Sequence, residues 1–289
     1  MMLKVAMTIL LSQYVRSRID DSVAGSQCLW WPENTVIELR QSVDGNPETP
    51  ADAEFTAFSA SVTTWATQLN SCSSLRLQEG ARTQTRKIGF FDGASNENVA
   101  LFRLRKCANV VPRTDGCWTD DDCGNQYDCW QHQEGAIAIT TTSFNPDTGR
   151  ILDSDIEFNT PSFIFSTVDT PPCPPGLANT NCVATDVQNT TTHELGHLLG
   201  LSHSPSSSST MSFRASAGEL SKRTLDADTA RFVCDVYPAG AAAKTCVVNT
   251  VSSELGKSLG PGGCGCSEAP GLLAAFGALA FGLRKRRAR

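Results

Sequence analysis

Three of the chain's four histidines fall in one short string, HELGHLLGLSH, residues 193–203. His193 and His197 are four apart, so on a helix of about 3.6 residues per turn they rise from one face and reach a common point. Neutral imidazole nitrogens converging on a point suit zinc. Gly200 falls where a helix can end in a left-handed turn, which swings the chain back and brings His203 to the same point from a new direction. Three protein ligands leave a fourth position open for water, whose pKa a zinc ion lowers from about 15.7 toward roughly 7. Glu194 is next to a ligand in sequence but points elsewhere on the helix, so it is placed to accept that water's proton as general base. The string therefore predicts one catalytic zinc on His193, His197 and His203. A histidine alone is more often a core or surface residue, but five fixed positions are a poor match to chance.

The elements that must carry this site can be read from periodicity. Residues 35–42, TVIELRQS, alternate as a strand does. In residues 51–69, Phe55, Phe58, Val62, Trp65 and Leu69 recur every three or four positions, which predicts an amphipathic helix. Strands are expected around RKIGFFD (86–92) and NVALFRL (98–104), then a cysteine-rich loop. A hairpin follows over residues 135–159, turning at Asn145, Pro146, Asp147 and Gly149. Asp186 is the expected N-cap of the helix that carries the histidines.

The composition of 289 residues, 40% hydrophobic, allows one medium domain with a sizeable core. The net charge of −6 hides an asymmetry, because Arg284, Lys285, Arg286, Arg287 and Arg289 supply five of 24 basic residues. The body upstream carries 19 basic residues against 30 acidic ones, a balance of −11, which argues against nucleic acid as a partner. Twelve cysteines point to an oxidising compartment and hence export. Cys117, Cys123 and Cys129 read as a disulfide-held loop, since their C-x5-C-x5-C spacing lacks the short pairs of a zinc finger. Cys173 and Cys182 can close a short loop, and Cys234 and Cys246 can tie the domain's end to the next segment. Cys28 reads as a disulfide partner. Residues 1–27 read as a short signal or leader, with a mis-assigned start as the rival. Residues 269–283 are uncharged but shorter than the ~20 residues of a spanning helix, and a basic cluster follows them.

The string H-E-x-x-H-x-x-G-x-x-H is the metzincin signature, and the order of strand, long helix with a late Trp, strands, hairpin, histidine helix and closing helix resembles the matrixin group of metzincins. The resemblance covers roughly residues 30–238 and is strongest from 186 to 237. It implies an α+β fold with a twisted mixed sheet, a long helix on the N-terminal side, a zinc-binding active-site helix, a Met-turn at Met211 beneath the metal, and a C-terminal helix ending at Tyr237. It also implies a zinc endopeptidase acting on protein or peptide substrates, with DSDIEFN (153–159) as the edge strand that an extended peptide joins. Asp153, Asp155 and Glu157 are then calcium ligands or solvated strand charges, and both readings stay open. Ser212, Phe213 and Arg214 depart from the Tyr-Pro that follows the methionine in familiar matrixins, so specificity does not carry over. The C-terminus resembles the sorting tails of myxobacterial surface proteins, which implies cell-envelope or extracellular localisation, membrane association through the tail, and Cys264 or Cys266 as the processing or anchoring residue. The expected organisation is a leader (1–27), a catalytic domain (28–238) with a cysteine-rich insertion near 107–130, a linker (239–266), and a tail (267–289) that takes no part in the fold. The rival from another class is a non-catalytic surface or adhesion protein that keeps the zinc scaffold, against which the intact Glu194 speaks.

Overall fold

The computed structural model describes residues 14–244 except residue 24, together with Cys246 and the backbone of residues 279–287. Its centre is a mixed sheet. Val36–Gln41 (β2), Arg76–Glu79 (β3), Asn98–Arg103 (β4), Ala136–Phe144 (β5), Ile151–Asn159 (β6), Arg214–Ala215 (β10) and Leu279–Arg287 (β11) lie in the order β10-β11-β5-β6-β4-β2-β3. β3, β2, β4 and β6 run parallel to their neighbours, while β5 returns antiparallel to β6 as the hairpin pattern requires. Short pairs stand apart from it: Val15–Arg16 (β1) with Leu201–Ser202 (β9), and Phe165–Ser166 (β7) with Thr185–Asp186 (β8).

Two helices pack together over this sheet. Ala53–Cys72 (α1) buries Phe55, Phe58, Val62, Trp65 and Leu69, the residues that its period singles out. They meet Val187–Leu198 (α5), where the Trp65 indole donates to the Thr192 carbonyl at 2.8 Å and the Ser61 hydroxyl to the Gln188 carbonyl at 3.0 Å. Burying a side chain of this size stabilises the fold by about 1.5–3 kcal/mol, and the indole bond leaves no buried donor unpaired. Ala227–Val236 (α6) closes the domain with Phe232, Val233 and Val236 in the same core. The fold is thus α+β with a twisted mixed sheet, the class expected from the sequence.

Several expectations need correction. RKIGFFD forms no strand, because its backbone N–H groups find side chains instead of a ladder: Ile88 donates to Asn125 Oδ1, Gly89 to Asp155 and Phe90 to Ser143 Oγ. DSDIEFN is not an edge, since β6 lies between β5 and β4 with Asp153, Asp155 and Glu157 buried. Residues 14–27 pair with the domain: Ser17 N–H donates to Gly200 O at 2.9 Å and its hydroxyl to Leu201 O at 2.8 Å. Residues 279–287 are a strand of the main sheet, so that part of the tail does belong to the fold. Residues 1–13, most of the linker and the apolar run up to 278, with Cys264 and Cys266, lie outside the described residues.

The cysteines pair as 28–246, 72–234, 107–129, 117–123 and 173–182. Cys234 therefore fixes α6 to the end of α1, and Cys246 fixes the following segment to the N-terminal arm, in place of the 234–246 bond expected from proximity. The insertion near 107–130 folds as three short helical turns, Cys107–Val110 (α2), Cys117–Asp120 (α3) and Cys123–Tyr127 (α4), around its two disulfides.

Candidate metal centre

α5 begins where the sequence places it. Asp186 caps it, accepting from Asn189 N–H at 2.7 Å, and Arg223 holds the same carboxylate in place through two donors. At the other end Gly200 takes φ of +98°, and a Cβ there would sit 2.9 Å from the Leu29 carbonyl oxygen. Glycine meets both demands, the left-handed turn and the close approach. The turn delivers His203 to the two helix histidines: the three rings stand 4.7–5.4 Å apart by centroid, and one ligand nitrogen from each lies within 4.8 Å of the others.

The outer nitrogens are oriented by backbone. His193 Nδ1 faces Thr210 O at 2.6 Å and His197 Nδ1 faces Leu201 O at 2.8 Å, contacts that place a proton on Nδ1 and turn Nε2 inward toward the other rings. His197 Nε2 and His203 Nε2 are 3.2 Å apart, close to the ~3.3 Å expected of two nitrogens each about 2.0–2.1 Å from a tetrahedral zinc. Burial holds His193 well below the ordinary imidazole range, and its neighbours His197 and His203 push the same way; burial takes His203 down to about 4. Neutral rings are the state that ligates metal.

Glu194 lies beside this cluster, fully buried. One carboxylate oxygen accepts from Thr140 Oγ1 at 2.5 Å, while Oε1 has no hydrogen-bond partner among the described residues. Burial pushes the carboxyl up to about 8, against the pull of the Thr140 bond. A cation among the imidazoles would draw it down again. A buried carboxylate oxygen left without a donor beside three converging imidazoles fits a site that takes a dication and a water.

Residues 117–238 match the Matrixin family model. The match runs from the cysteine-rich insertion to just past α6, and so takes in β5, β6, α5 and Met211 while leaving β2, α1, β3 and β4 outside it. No curated protein matches the chain. The Matrixin match supports a metallopeptidase that uses zinc, and the histidine triad is the group of three metal-type ligands that comes together among the described residues.

Met211 lies buried under α5, and a side chain at Gly196 would collide with its thioether. Gly196 is thus a requirement that the signature string conceals, since the string leaves that position free. Two further positions escape sequence reading. Thr140 is one of three consecutive threonines on β5, and nothing in its context points to Glu194. Asp226, the N-cap of α6, also accepts from Thr210 N–H at 2.8 Å and from the Ser209 hydroxyl at 3.0 Å, so it clamps the turn whose carbonyl orients His193. Two of the three acids weighed for calcium are engaged within the fold: Asp155 accepts from the Gly89 and Val99 N–H groups, and Glu157 pairs with Arg103 and His132. Phe213, which departs from the Tyr-Pro expected by resemblance, stands 44% exposed with its ring 6.1 Å from that of His203.

Proposed function

We propose that the protein is an exported zinc endopeptidase in which His193, His197 and His203 hold the metal and Glu194 is the general base. The observation that supports it best is a buried, under-bonded Glu194 carboxylate beside three converging imidazoles. Zinc supplies a Lewis acid for the scissile carbonyl and acidifies water near neutral pH. Glu194 Oε1 takes the water's proton and passes it to the leaving amine, while Thr140 fixes the other oxygen so that the carboxylate does not turn away. Thr210 and Leu201 carbonyls keep the ligand rings in one tautomer. The five disulfides fit an oxidising compartment. Retention at the envelope through Cys264 or Cys266 completes the reading, with protein or peptide substrates and one zinc per chain.

The test is hydrolysis of an unbiased peptide library by the full chain, alone, after chelation and after zinc is restored. Cleavage that disappears with the chelator and returns with zinc is the expected result. A protein that binds zinc tightly and cleaves nothing would favour the adhesion scaffold instead.

A further inference from the structure

β5 is the outermost of the domain's own central strands, and its free edge is filled by the chain's C-terminus. β11 pairs with it in parallel from Ala280↔Ala136 to Arg287↔Phe144, with one irregularity between Ala280 and Gly282. On its other side β11 pairs antiparallel with β10, Ala280 with Arg214 and Leu279 with Ala215. The two walls of this slot are the segments that touch the metal centre. β5 carries Thr140, bonded to Glu194, and Leu283 is the residue paired with Thr140. β10 begins three residues after Met211 and directly follows Phe213, whose ring stands against His203.

The geometry points to a resident competitive inhibitor: residues 279–287 occupy the peptide-binding slot between β5 and β10 and compete with extended substrates in cis, which slows hydrolysis by the full chain without abolishing it. Each edge N–H and C=O of β5 pairs with one strand at a time, and a neighbouring strand fills the ~4.8 Å beside it. An extended peptide recognised by strand addition therefore competes with β11 for the same groups. The tail is held by its tether. Cys246 is bonded to Cys28, and residues 247–278, rich in Gly and Ser, join that fixed point to Leu279. A covalent connection that spans the two points gives an effective concentration of up to the order of mM, so even a weakly binding strand stays in place. A cut anywhere in 247–278 turns the tethered strand into a dissociable peptide, which makes proteolytic processing of the linker the activating event.

This inference rests on the peptidase reading of the histidine site, and the experiment separates the two. A recognition sequence for an unrelated site-specific protease is inserted after Ser258 in the full chain. Peptide hydrolysis and amide hydrogen exchange over residues 136–144 are then measured before the cut, after cutting and dilution, and after adding a synthetic peptide of residues 279–287. Cutting and dilution should raise kcat/KM by about tenfold or more and speed exchange on β5. The added peptide should restore protection and raise KM with kcat unchanged. Unchanged exchange and kinetics after the cut, or an added peptide that leaves KM alone, would overturn the proposal, as would unfolding on release of the segment. If neither form cleaves any peptide, the peptidase reading fails and exchange alone decides whether the slot is occupied: protection lost on cutting and regained with the peptide upholds it, and unchanged protection overturns it.

Discussion

The stretch from Asp186 to Tyr237 and the stretch from Gln84 to His132 flank the same sheet but are held by opposite means. In the first, the contacts that start the helix, turn the chain and orient two of the rings are short in sequence: the Asp186 cap starts α5, Gly200 turns the chain, and Leu201 and Thr210 carbonyls orient His197 and His193. In the second, apart from β4 and three short helical turns, the chain is irregular and is secured by side chains reaching far along the sequence. Arg103, buried within β4, binds Glu157 of β6 at 2.7 Å and Asp128 of the insertion at 2.8 Å, and His132 meets the other Glu157 oxygen at 3.0 Å. Asn125 closes a two-way bond with Ile88, and two disulfides form the centre of a small buried cluster with Val111. The difference teaches that one region encodes chemistry and the other encodes only its support. Substitutions in the two should therefore separate activity from stability.

The largest loss of stability should come from the support region. Arg103→Met removes the charge that compensates Glu157 and leaves a buried carboxylate behind, which typically costs about 3–5 kcal/mol. Denaturant melts of the variant should show that loss, while zinc affinity of the protein that remains folded stays as in the wild type. The same pair gives a pH signature. Burial alone would raise Glu157, but the Arg103 charge, with His132, holds it down to about 2. A carboxyl depressed in the folded state stabilises fully above its unfolded value, near 4.5, and that contribution fades as pH falls toward 2. The wild type should lose stability steeply across that window, and Arg103→Met should lose less.

A smaller effect on stability, with a larger one on the metal, is expected in the other region. Asp226→Ala removes the cap of α6 for about 1 kcal/mol, but it also frees Thr210, whose carbonyl orients His193. Loss of such an outer partner typically lowers metal affinity about 10- to 100-fold, which competition with a chromogenic chelator reads directly. Equal zinc affinity in Asp226→Ala and wild type would break the proposed division.

Legibility in the sequence follows the same line. The ligand helix, its Asp186 cap, the Gly200 turn, the buried face of α1 and the hairpin are all set by spacings of a few residues, and each lies where the sequence puts it. What could not be read is set by partners far apart. RKIGFFD looks like a strand because its alternation is real, yet its N–H groups go to Asn125, Asp155 and Ser143. Cys234 and Cys246 are near neighbours in sequence, but their partners are Cys72 and Cys28. The edge position that the matrixin resemblance implies for β6 fails because β4 and β5 pair with its two sides, and its acids meet Arg103 and the Gly89 and Val99 N–H groups, partners far away in sequence. The terminal strand has no local signal for the partner it finds, because pairing with β5 is decided by an open edge more than a hundred residues away.

The smallest effect on stability and the largest on chemistry should meet in one residue. Glu194→Gln keeps the size of the side chain, its hydrogen bond from Thr140 and the three imidazoles, while removing the carboxylate that accepts a proton. Zinc content by metal analysis, thermal melting and peptide hydrolysis should be measured on the same preparation. The account predicts one zinc per chain, a melt close to wild type, and hydrolysis slower by about 10²- to 10⁴-fold. Hydrolysis that survives unchanged in a zinc-loaded Glu194→Gln protein would contradict it.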